Sequence, residues 1–178
     1  MVDWSVTAGK PEKLYTRHLL PKGSHIVANT KFEAAKRQAK EEITAFYNER
    51  VTKLTKMLDD ANKLTDKFAD DPGALTPIWS ETTREKYVPL RAVRTIKKDI
   101  RSLVRFLEKD IKRLVDEVDY SRESFDLRVA KTYGRGQVKS YDWDVNNLEE
   151  PLKAFQGGYE AGIAAYTQSR KEWVERYG

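Results

Sequence analysis

From Pro89 to about Ala130, apolar residues recur at Val93, Ile96, Ile100, Leu103, Leu107, Ile111, Leu114, Val118 and Phe125. The steps alternate three and four, and only Ser121 interrupts them. That spacing puts one apolar residue per turn on one side of a helix. The pattern predicts a helix of about forty residues, roughly 60 Å long at 1.5 Å per residue. A stripe of that length needs cover, and two other periodic runs can supply it.

The first run goes from Phe32 through Ala35, Ala39, Ile43, Phe46/Tyr47, Val51, Leu54, Met57/Leu58, Ala61 and Leu64 to Phe68. Thr30-Lys31-Phe32-Glu33 has the form of a capping box that would start this helix, and Pro72-Gly73 would stop it. Residues 72–88 read as a loop, with a short turn of helix near Thr83–Tyr87. Pro89 suits a first helical position, where its missing N–H costs nothing. The third run is Leu152, Phe155, Tyr159, Ile163, Tyr166, Trp173 and Tyr177, starting near Asn146 or Asn147 as N-cap. Gly157, Gly158 and Gly162 lower helix propensity there by roughly 1 kcal/mol each. They predict a kink near Gly157 or a close backbone approach.

The expected fold is all-α. Two helices of about forty residues (about 30–70 and 89–130) form an elongated antiparallel hairpin. A third helix of about thirty residues (about 147–177) roofs part of it. Residues 131–147 read as a second loop, and residues 1–29 as an extended N-terminal arm preceding a single bundle, 30–178. This fold, and the role read from it, requires no strand between Phe32 and Phe125 and requires Ile100 and Leu107 to be buried. The arm is broken by Gly9, Pro11, Pro21 and Gly23 but is too apolar for a solvated tail. Its expected contact residues are Trp4, Tyr15, Leu19, Leu20 and Ile26, either along the helices or on a neighbouring subunit.

Charge changes this picture locally. The 178-residue chain carries +5 net, with 34% charged and 39% hydrophobic residues. Between Pro89 and Arg113 there are nine cationic residues against three acidic ones, so the rest of the chain is close to neutral. Arg91, Arg94, Lys98, Arg101, Arg105 and Lys112 recur on the side away from the apolar seam. Asp59, Asp60, Asp66, Asp70 and Asp71, near the end of the first helix, are placed to meet the basic start of the second. Arg135 and Lys139, with Tyr133, Tyr141 and Trp143, make an aromatic and basic mixture in the expected loop. Three uses fit the stripe: a solvated or internally paired face, a dock for an acidic protein surface, or a track for a phosphate backbone.

Chemistry is excluded more readily than found. There is no Cys and there are only two His. Thiolate catalysis and Cys-ligated metals are therefore ruled out. His18 and His25 both lie in the arm, and no Glu-x-x-His pair exists for a di-iron site. Tyr133-Gly134-Arg135-Gly136 lacks the Walker pattern and reads as a turn. No cofactor, metal or catalytic residue is expected. Nor is a signal peptide or a membrane span expected, which suggests an intracellular or virion setting. The chain reads as a non-enzymatic structural subunit of a larger assembly, a virus or phage particle component being the preferred setting. Its partners would be other protein subunits with acidic surfaces. The alternative is a sequence-independent nucleic-acid-binding protein.

Overall fold

The computed structural model describes residues 22–178 except Thr82, with side chains described from Thr30 onward. The described chain is mostly helical. The long helix α1 spans Lys22–Ala69, and a short 3-10 turn covers Pro72–Leu75. Then come strands β1 (Ile78–Ser80) and β2 (Glu85–Tyr87), followed by helices α2 (Pro89–Asp119), α3 (Ser124–Ser140), α4 (Asp142–Gly157) and α5 (Tyr159–Tyr177).

Helix α1 starts at Lys22, not Thr30, so the Thr30–Glu33 capping box does not mark its beginning. Its buried seam is Ala39, Ile43, Tyr47, Leu54, Met57, Ala61, Leu64 and Phe68. Helix α2 buries Val93, Ile96, Ile100, Leu103, Leu107, Leu114 and Val118 against it, and Ile100 and Leu107 are fully buried. Lys36 on α1 donates to the backbone carbonyl of Asp119, and Lys40 pairs with the Asp119 carboxylate. Pro89 occupies the start of α2 as expected, and Val88 before it is extended (φ −111°, ψ 132°). The proline ring disfavours helical geometry in the residue that precedes it.

The link between α1 and α2 contains strands, contrary to the loop and the helical turn near Thr83–Tyr87 expected there, so the requirement of no strand between Phe32 and Phe125 is not met. Ile78 pairs with Tyr87, Trp79 with Lys86 and Ser80 with Glu85, antiparallel. The hairpin stays within the link and leaves both long helices unbroken. It turns the buried Tyr87 edge-on to Tyr166 of α5, with ring centroids 5.1 Å apart.

Helix α2 is shorter than expected. It ends at Asp119, and Phe125, read as the last member of its stripe, is exposed on α3. A capping box restarts the chain. The Glu123 side chain takes an N–H of the next turn, and Asp126 accepts from the Glu123 N–H at 3.2 Å. Helix α3 then packs on α1 and α2 through Leu127, Ala130, Gly134 and Val138.

Residues 131–147 are therefore helical except at Tyr141, where α3 gives way to α4, and Tyr133-Gly134-Arg135-Gly136 is not a turn. Gly134 is buried, and a Cβ there would lie 3.4 Å from the Leu114 side chain. The expected third helix is two helices, and Asn146 and Asn147 cap neither. Helix α4 begins at Asp142, with Asp142 and Asp144 in its first turn, where acids suit the helix dipole. It continues through Pro151 and breaks at Gly158, whose φ of 147° favours glycine. The kink occurs, with α5 folding back on α4, but the close approach is to a side chain and not to a backbone: Gly162 packs under the ring of Phe155.

A basic ridge and an adjoining cleft

Helix α2 has two working sides. With its apolar seam turned inward, the 3.6-residue period carries Arg91, Arg94, Lys98, Arg101, Arg105 and Lys112 to the opposite side. All six are exposed. They run over about 30 Å at 1.5 Å per residue. None forms an ion pair among the described residues. Asp59, Asp60, Asp66 and Asp70 do not meet them, and Asp71 instead caps the 3-10 turn by accepting from the Gly73 N–H at 2.9 Å. The expected pairing between these acids and the start of α2 is absent. The cations point away from the seam that joins the helices.

Arg135 and Lys139 do not extend this ridge. Arg135 lies on α3 with its guanidinium over the Phe46 ring of α1 (4.9 Å), and Lys139 is an exposed residue near the end of α3. The aromatic residues read beside them are also dispersed. Tyr133 lies under Arg113 at 5.2 Å. The Tyr141 hydroxyl donates to Asp110 at 2.8 Å, and burial holds its pKa well above the usual phenol range. Trp143 joins Trp173 (5.9 Å) and Tyr177 (5.8 Å), with Arg176 stacked over its ring at 4.2 Å. These rings hold helices together and do not form a platform beside the ridge.

A cleft of about 520 Å³ opens between α2, α4 and α5. Its walls are largely apolar and aromatic, including Phe106, Tyr166 and Trp173. Its polar groups come from three helices. Asp99 of α2 takes a 2.7 Å hydrogen bond from Arg170 of α5, which also donates to the Tyr166 hydroxyl at 3.1 Å. Burial raises the Asp99 carboxyl above its ordinary value, and the Arg170 charge opposes the shift. Asp144 of α4 is buried and accepts a long 3.3 Å bond from the Tyr177 hydroxyl. Its pKa is also raised by burial, against the Tyr177 bond and the nearby Arg176 charge. The Asn147 amide nitrogen is buried in this wall without a hydrogen-bond partner among the described residues.

Cleft and ridge share a lip. Arg105 donates to the Ser102 hydroxyl at 3.2 Å, and Ser102 lines the cleft. Phe106, the next residue, is 55% exposed at the cleft margin. Sequence reading found the ridge and missed the cleft. Asp99, Asp144 and Arg170 are separated along the chain and come together only through the α4–α5 turn.

The expected arm contacts Trp4, Tyr15, Leu19 and Leu20 lie outside the described residues, as does His18. Ile26 and His25 belong to the backbone of α1, but their side chains lie outside the described set. Among the described residues, no three acidic or histidine groups gather as a metal site, and no helix is long and apolar enough to cross a membrane. No family model matches the chain, and neither the curated proteins nor the solved structures give a match.

Proposed function

We propose that this chain is a non-enzymatic subunit of a larger assembly, a virus or phage particle being the preferred setting, and that the ridge on α2 docks an acidic surface of a neighbouring protein. In this proposal α1 and α2 act as a rigid antiparallel strut, and the apolar residues before α1 hook a neighbour. The observation that carries it is the row of six exposed cations without ion-pair partners among the described residues. Arginine predominates in that row, and its planar fork matches carboxylates bidentately. Long-range attraction along such a row sets orientation and association rate more than affinity.

A second reading, sequence-independent nucleic-acid binding, draws on the same straight row, which could follow a phosphate backbone. It is the weaker of the two because Tyr141 and Trp143 are engaged within the fold and Tyr133, though exposed, lies on α3 with Arg113 over its ring.

The test replaces Arg94, Lys98, Arg101 and Arg105 together by Gln. All four are exposed, so the helical signal and melting temperature should stay near those of the parent. The parent, purified from its source through a tag, should sediment within a large complex containing an acidic subunit, and the variant should sediment alone. Parental occupancy by the variant refutes the reading. A complex dispersed by nuclease, with binding that falls steeply with salt, would establish the nucleic-acid reading instead.

A further inference from the structure

The cleft beside the ridge narrows what kind of partner fits. Arg105 and Phe106 are consecutive, yet one belongs to the ridge and the other to the cleft margin. The Arg105–Ser102 hydrogen bond holds the guanidinium at the lip. An occupant that fills the cleft and crosses this lip reaches Arg105 and, two turns back on the same side of α2, Lys98, so it needs acidic groups for these cations and an apolar body for the aromatic walls. Asp144 adds a third requirement. Among the described residues its buried carboxylate takes one long hydrogen bond, from Tyr177, and can accept more. A buried acceptor in that state favours an anchor that brings a donor. Trp and Tyr each combine a large aromatic body with a donor at the tip. The volume of about 520 Å³ lies within the range of roughly 300–1,000 Å³ typical of sites that enclose a compact ligand.

We infer that the cleft receives a Trp or Tyr anchor from an acidic amphipathic helix of a partner protein, whose carboxylates lie along the α2 ridge. Helix-in-groove recognition works this way, with a few apolar anchors supplying affinity and flanking charges supplying orientation. The chain's own residues 1–21 are a poor occupant, because Lys10, Lys13 and Arg17 outweigh Asp3 and Glu12. A second copy, at +5 net, is repelled as well. The inference rests on the reading of the ridge as a protein dock.

The experiment titrates the full chain into a fluorescently labelled helical peptide of about four turns, with Glu on one face, Leu on the other and one central Trp. Three further probes are the same peptide with Trp changed to Ala, the same peptide with every Glu changed to Gln, and a random-sequence DNA duplex. Three variants of the chain are compared. Ser169→Trp fills the cleft from α5. Phe106→Ala removes the exposed margin with little risk to folding. The four-Gln ridge variant removes the charge. The acidic Trp peptide should bind, and the Trp-to-Ala peptide should bind at least about tenfold more weakly, as for loss of a central anchor. The Gln peptide and all three variants should also lose affinity. If the ridge variant loses binding while Ser169→Trp, Phe106→Ala and the Trp-to-Ala peptide change nothing, the cleft inference fails and the ridge reading stands. If the ridge variant binds the peptide as the parent does, or only the duplex binds, the ridge reading itself fails. Dimerisation of the chain that blocks the peptide would also overturn the inference, with the second copy as the occupant.

Discussion

Gly162 at the start of α5 packs directly beneath the ring of Phe155 at the end of α4, so closely that a Cβ on residue 162 would collide with three ring atoms. Phe155 is fully buried and meets Phe68 edge-on at 5.8 Å, so it has no room to swing aside. Gly162→Ala should therefore destabilise the protein despite the better helix propensity of alanine. Overpacking of this kind costs about 1–3 kcal/mol, and the propensity gain of roughly 1 kcal/mol offsets only part of it. Urea denaturation of the two proteins measures the difference. Equal or greater stability of the alanine variant would mean that α4 and α5 are not packed this closely.

Tyr47 of α1 is fully buried, and its hydroxyl has no hydrogen-bond partner among the described residues. Desolvation raises its pKa to about 12, with the Asp110 charge adding to the shift. Removing an unsatisfied buried polar group while keeping its ring should cost nothing. Tyr47→Phe is expected to leave stability unchanged or raise it by up to about 1 kcal/mol. A loss larger than about 1 kcal/mol in chemical denaturation would show that the hydroxyl has a stabilising partner.

Asp144 gives a pH signature. Burial raises its carboxyl above the ordinary value of 3.8, while Tyr177 and Arg176 act in the other direction. The folded protein thus holds this proton more tightly than the unfolded chain does. The stability it contributes is fully present below 3.8 and is lost as pH rises through the raised folded value. Asp144→Asn cannot titrate. The stability of the parent relative to this variant should therefore decline between about pH 3 and about pH 7. Denaturation curves of both proteins at the two pH values give that difference directly, free of the other carboxylates. A difference that grows with pH would place the Asp144 pKa below normal.

Which parts of this fold could be read from residue order follows from how each part is built. The α2 seam was legible because burial against α1 demands an apolar residue every turn, from Val93 to Val118. Its true end was not, because Phe125 keeps the phase of the stripe by chance while facing solvent from the next helix. The restart uses an acidic cap, Glu123 with Asp126, instead of the Ser or Thr cap usually sought. The ridge was legible because its cations share one helix. The cleft was not, because Asp99, Asp144 and Arg170 sit on three helices that meet only after Gly158 reverses the chain.

The two glycines of α3 test the point on which sequence pattern and structure differ most. Gly134 and Gly136 resemble turn punctuation, and a turn would place at least one of them where alanine is strained. In the structure both are helical, and a Cβ on Gly136 meets nothing within 4 Å. Gly136→Ala should therefore stabilise the protein by up to about 1 kcal/mol, through propensity and a less disordered unfolded chain. Gly134→Ala should gain less, since its Cβ would press on Leu114 at 3.4 Å and approach Ile43 at 3.7 Å. Melting curves of the two single variants decide the matter. Destabilisation by Gly136→Ala would mean that residues 133–136 turn, so that α3 ends before Gly136. Stabilisation at 136 that exceeds the effect at 134 fits one continuous helix with its inner face against α1 and α2.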